Sequence, residues 1–150
     1  MSNQNDSFWG EPISSYSRAQ AIAEGVLVDL TTATDDKGQL LCQQAGFNVP
    51  VAITRDAWAK TVEVGGIWKP DGEGEVLELT GGQSLTGRLW DVLWMLRVAC
   101  GHAGNTDRVH FQVRVDLQGD GRGELVRLWA ICSPGDDARP VITIMLENED

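Results

Sequence analysis

Between residues 109 and 115 the chain alternates strictly, Val109, Phe111, Val113 and Val115 against His110, Gln112 and Arg114, which is the period of a strand with one face in a core. A turn at Gln118–Gly123, built on Asp120-Gly121, returns the chain. On the return strand, Leu125, Arg127 and Trp129 share one face, and Val126, Leu128 and Ala130 the other. After Pro134-Gly135-Asp136-Asp137, the run Val141–Leu146 supplies a third strand. The last third therefore predicts an antiparallel β-meander.

Before it lies the strongest helical pattern, Leu85–Cys100, opened by Ser84 or Thr86 and ended by Gly101 and Gly104. Leu85, Leu89, Val92, Leu93 and Leu96 share one face, Trp90, Trp94 and Val98 the adjoining one, and only Arg88, Asp91 and Arg97 interrupt. An element apolar over most of its circumference is expected at the centre of a fold, covered on both sides. The N-terminal half reads as short elements. A short helix lies within Tyr16–Gly25, with Ser15 or Ser17 as its N-cap, and a strand covers Val26–Leu30. A helix over Lys37–Ala45 is capped by Asp35 or Asp36, and an extended Val49–Thr54 carries Pro50 at an edge or a strand start. A helix over Arg55–Val64 stops at Gly65-Gly66, and Gly65–Gln83 reads as a long acidic loop with room for one short strand. The fold class is α+β: a C-terminal antiparallel meander packed on a central Trp-rich helix and short N-terminal helices. Residues 1–7 read as a disordered tail and 8–150 as a single domain.

Charge narrows the partners. Twenty-two carboxylates against twelve Lys and Arg give a net charge of -10, which repels phosphates and suits a protein partner with a basic surface. Direct nucleic-acid binding is disfavoured on that ground. Cys42, Cys100 and Cys132, an odd number in apolar stretches without a CxxC pair, read as free buried thiols in a reducing compartment. No basic-then-apolar leader opens the chain and no apolar run spans a bilayer, so a cytoplasmic location is expected.

Chemistry-bearing motifs are sparse. Asp116, Gln118, Asp120 and Gly121 imitate the start of a calcium loop, but the closing glutamate position holds Arg127 and the flanks are strands, so a hairpin turn is preferred. Cys100 and His102, with His110 beyond, lack a fourth zinc ligand at recognisable spacing. The glycine pairs fit no phosphate-binding loop, and neither histidine adjoins a nucleophile motif. No metal or cofactor is expected.

Three segments carry a resemblance: Phe8–Ile13 with Tyr16–Ile22 and Gly25–Asp29, then Gly87–Met95, then Gly135–Asp137 with Pro140–Leu146. Together they resemble an uncharacterised domain family carried on bacterial plasmids, phages and other mobile elements. That resemblance implies an accessory role such as blocking host CRISPR or restriction systems, and it transfers no catalytic residue. The leading expectation is a non-enzymatic anti-defence inhibitor of the anti-CRISPR type. It would meet a basic, nucleic-acid-handling surface through Asp71, Glu73, Glu75 and Glu78 or through Glu147, Glu149 and Asp150. The alternatives are a small nucleotide- or protein-modifying enzyme with a polar centre drawn from Tyr16, Arg18, Arg88, Asp91, Asp136 and Asp137, and a plasmid-maintenance or oligomeric accessory protein.

Overall fold

The computed structural model describes residues 17–64, 66–72, 74–79, 84–104, 106–116 and 123–149, with the backbone alone for 66–69, 71 and 75–79. Its elements, in chain order, are α1 (Arg18–Ala23), β1 (Leu27–Asp29), α2 (Leu41–Ala45), β2 (Val51–Thr54), α3 (Arg55–Trp58) continued by a π-helical turn (Ala59–Glu63), β3 (Gly66–Asp71), β4 (Gly74–Leu79), α4 (Leu85–Ala103), β5 (Arg108–Val115), β6 (Glu124–Pro134) and β7 (Pro140–Leu146). Helix and sheet mix as an α+β arrangement. Five strands form one sheet in the order β1-β2-β7-β6-β5, and β3 pairs with β4 in a separate antiparallel hairpin.

Side-chain caps account for the helix starts. Ser17 accepts from Gln20 N, Thr54 from Ala57 N and Ser84 from Gly87 N, each satisfying a donor that its helix cannot. Asp35 behaves differently from the expected cap of a helix beginning at Lys37. Its carboxylate accepts from Lys37 N and Gln39 N, both at 2.9 Å, and from the Gln44 side chain at 3.0 Å. A short acidic side chain that satisfies backbone donors in a turn competes with helix, so α2 starts only at Leu41. It ends at Gly46, whose φ of +101 is left-handed.

The sheet is not confined to the C-terminal third. β2 runs parallel to β7 with Ile53 opposite Ile144, and β1 adds antiparallel to β2. Pro50 precedes β2 and still joins the ladder through its carbonyl, which accepts from Ile142 N. The segment expected as a long loop carries the β3–β4 hairpin, with Trp68 opposite Leu77.

One sheet face and α4 enclose the core. Phe111 and Val113 of β5, Leu128 and Ala130 of β6, Ile144 and Leu146 of β7, and Val51 and Ile53 of β2 pack with Leu89, Val92, Leu93 and Leu96 of α4. The sheet, α2 and the π-helical turn all pack on α4, and one arc of the helix is left open. Trp94 is 46 % exposed, Met95 and Val98 are also exposed, and Trp90 is half-buried, stacked on Trp94 with ring centroids 5.7 Å apart. The expected tryptophan-rich centre is thus an aliphatic one, because the leucine arc of α4 takes the sheet and the tryptophan arc is left over. Cys132 is likewise exposed rather than buried, near the far end of β6. Among the described residues, no helix is long and apolar enough to cross a membrane.

Candidate functional site

A cleft of about 480 Å³ opens between the first turns of α4 and the end of β5, lined by Thr61, Arg88, Trp90, Asp91, Arg114 and Asp116 among others. Arg88 lies at its base and is 6 % exposed. Its Nη1 donates to the Val62 carbonyl at 3.0 Å and to the Val64 carbonyl. The π-helical turn leaves these carbonyls without a helical partner at its C-terminal end, so the arginine ties that end onto α4. Burial lowers the Arg88 pKa. Thr61 donates to the Ala57 carbonyl at 2.7 Å, and Arg114 Nη1 to the Gly123 carbonyl at 2.7 Å.

Asp91 is exposed as a whole residue, yet partial desolvation at the cleft raises its carboxyl above the usual range. An aromatic wall with carboxylates and arginines beside it is a surface able to hold a small polar ligand.

A second, shallower cavity of about 600 Å³ lies where α1, β1, α3 and β7 meet, with Glu24, Val26, Arg55, Asp56, Met145 and Glu149 on its walls. Glu149 is fixed there. Its Oε1 accepts from Thr54 Oγ1 at 2.7 Å and from Leu146 N at 2.8 Å.

The six residues expected as one polar centre fall in different places. Arg18 and Asp136 meet on the outer side of the sheet. Asp136 accepts from the backbone N–H of Arg18 and Ala19, while the Arg18 guanidinium donates to Thr143 Oγ1 and the Ile142 carbonyl, both at 2.7 Å. Burial lowers the Arg18 pKa, and Asp29 and Asp136 oppose that shift. Asp137 pairs instead with Arg139, 2.6 Å away in its own turn, and Arg139 holds its carboxyl below the usual range. Arg88 and Asp91 belong to the cleft, and Tyr16 lies outside the described residues.

Of the acidic positions expected at a partner surface, Asp71 lies at the end of β3 opposite Gly74, Glu75 opposite Pro70 and Glu78 opposite Ile67. Glu147 is exposed and Glu149 is half-buried in the bonds just described. Glu73 and Asp150 lie outside the described residues, as do positions 117–122 of the proposed calcium-like turn. Among the described residues, no three His, Cys, Asp or Glu side chains are grouped to hold a metal ion.

One polar row was not singled out as a candidate site from the sequence. On the sheet face away from α4, Arg108, His110, Gln112 and Arg114 are all exposed, and they stand opposite Ile131, Trp129, Arg127 and Leu125. The alternation of β5 contained this row. Its aromatic neighbour, Trp129, could be assigned only once the register between β5 and β6 was known.

Comparison with curated proteins and with solved structures returns no match. The model of a family described as "Family of unknown function (DUF6573)" matches residues 5–150, and the chain belongs to that family.

Proposed function

We propose that this chain is a binding protein, working as a mobile-element accessory factor of the anti-defence type that docks on a basic, nucleic-acid-handling surface of a host complex. One observation carries the non-enzymatic half of this reading: its best-placed polar groups hold the fold together. Arg18 and Asp136 bind α1 to the strands, and Arg88 closes the π-helical turn with its Nη1 on two carbonyls. The net charge of -10 supports a basic partner, since complementary charge raises the association rate and selects against like-charged surfaces. The sequence resemblance to proteins of plasmids and phages supplies the anti-defence context.

The test is protection of a targeted phage or plasmid in a host with an active defence system, together with affinity capture from that host. Neutralising Asp71, Glu73, Glu75 and Glu78 together, or Glu147 with Asp150 while Glu149 keeps its bonds to Thr54 and Leu146, to Asn and Gln should slow capture and flatten its salt dependence. Full protection by both variants would remove the acidic-surface mechanism. A second reading rests on the Trp90–Asp91 cleft, whose volume and polar lining suit a small ligand. A nucleotide- or protein-modifying activity lost in Asp91→Asn, with protection by the acidic-cluster variants intact, would select it.

A further inference from the structure

We infer that the outer face of the β5–β6 pair is a docking surface for a single-stranded nucleic acid. This goes beyond the protein-partner reading above and stands on different residues.

The net charge argues against any polyanion only if charge is spread evenly. The strand register shows that it is not. The outward positions of β5 are Arg108, His110, Gln112 and Arg114, and those of β6 are Leu125, Arg127, Trp129 and Ile131. No carboxylate occupies any of the eight positions. Three of the chain's twelve Lys and Arg stand there, all exposed. Glu147 stands beside Arg127, its N–H donating to the Arg127 carbonyl, Asp107 and Asp116 bound β5 at its two ends, and exposed Glu124 opens β6. With a screening length of about 8 Å at physiological ionic strength, carboxylates farther off on the domain are largely masked, so a strand on this face meets the three arginines and the four carboxylates at its border.

The aromatic content distinguishes this face from a merely basic one. The His110 ring lies at 11° to the Trp129 ring with centroids 5.9 Å apart, and the Arg108 guanidinium sits 4.3 Å from the centroid of the same indole. Trp129 Nε1 donates to the Leu146 carbonyl at 2.9 Å, which fixes the indole as an anchor. Trp129 itself is 7 % exposed, so the plane offered to a ligand belongs to His110. Because β5 is the last strand of the sheet, the side of His110 away from Trp129 meets no further strand of that sheet. A base stacked on His110 would carry its backbone between Arg108 and Arg114, about 20 Å apart at roughly 3.4 Å per residue, with Arg127 opposite Gln112 between them. Aromatic stacking combined with a cationic track is the general solution for single strands, whose bases are free to leave one another and stack on protein. Arg114 spends one donor on the Gly123 carbonyl and retains others for a phosphate.

The experiment is fluorescence anisotropy of the full chain with a labelled oligodeoxythymidylate, a duplex of equal length and a polyglutamate peptide. The expected result is saturable binding of the single strand, with log K falling against log salt at a slope of about -2 for three phosphate contacts. Arg127→Gln should reduce that slope by about 0.7. His110→Ala should weaken binding roughly five- to 150-fold at unchanged slope, and His110→Tyr, which keeps a stacking plane, should restore it. Thermal melts of each variant check the fold. Absence of saturable binding at low salt would overturn the inference. So would equal affinity for polyglutamate, which would make the face a site for acidic protein segments, or indifference of binding to both His110→Ala and Arg127→Gln. None of these outcomes bears on the acidic-cluster test of protection.

Discussion

The Asp136 carboxylate accepts from the backbone N–H of Arg18 at 2.8 Å and from that of Ala19 at 3.0 Å, across 118 positions of sequence. A turn after β6 therefore completes the N-terminus of the first helix. With Ser17 capping Gln20 N, three of the four donors that a helix leaves open at its start are satisfied. The negative charge also sits at the positive end of the helix dipole.

Replacing Asp136 by Ala should cost about 1 kcal/mol, the usual scale of a lost cap. Because the bonds run to backbone, the loss should persist when Arg18 is replaced by Met. Chemical denaturation of the two single variants and the double variant measures this. A coupling above about 0.5 kcal/mol would show that the guanidinium, rather than the main chain, is what Asp136 serves.

Adjacent positions of α4 should respond very differently. Leu93 has no exposed surface, so Leu93→Ala should cost about 2–5 kcal/mol. Trp94→Ala removes a larger side chain from a solvent-facing stack and should cost about 1 kcal/mol or less. Denaturation midpoints at constant slope decide it, and equal losses would place the tryptophan arc in a core.

The raised Asp91 carboxyl gives a pH signature. The native state keeps this proton to higher pH than the unfolded chain does. Its favourable contribution is therefore complete below the unfolded value, near about 3.9, and is lost as pH rises through the raised folded value. Asp91→Asn should melt higher than the parent at pH 7, with the difference closing below about pH 3.9. Thermal melts across that range read the sign directly, and a variant less stable at neutral pH would mean that the carboxylate is held by a partner that its charge requires.

The thiols should label in order of access. Cys42 donates to the Leu30 carbonyl at 3.3 Å and is pushed up to about 11, by burial first and then by the charge of Asp29. Burial also raises Cys100, whereas Cys132 is exposed. Timed alkylation followed by mass spectrometry should mark Cys132 first and Cys42 last. Early labelling of Cys42 would reveal opening of the α2 region without global unfolding.

At Gly46 the backbone disfavours a side chain, and the exposed, flexible Arg97 beside it can move aside. The glycine φ is +101, and an added Cβ would lie 2.9 Å from Arg97 Nε. Gly46→Ala should therefore destabilise by roughly 1–2 kcal/mol, the cost of a left-handed alanine. Arg97→Ala should leave that loss unchanged in a denaturation cycle, and recovery of part of it would show that the guanidinium is held in place.

Much of the local structure was written in short-range patterns. Alternation along Val109–Val115 predicted β5, and the serine before Leu85 with the leucines of one arc predicted α4, because both signals arise from a period that neighbouring residues alone define. The same locality explains the misreadings. Asp35 looks like a helix cap in sequence, and only the backbone donors of Lys37 and Gln39, brought within reach by the turn, show what it caps. Gly65–Gln83 lacks a strong alternating pattern, so its hairpin rests on pairing that composition does not announce.

What the sequence determined by itself was the C-terminal strands, the short N-terminal elements in their order, and α4 with its aliphatic stripe, since propensity, capping and periodicity act within a few residues. Tertiary structure decided which apolar arc met the sheet, leaving Trp94 outside and Leu93 within. It also joined β2 in parallel to β7, set Asp136 on the first turn of α1, and placed Trp129 beside His110 beneath Arg108. Each of these relations joins separate elements, several of them far apart in the chain. Their free energy exists only after the intervening chain has been ordered, so no local pattern carries it.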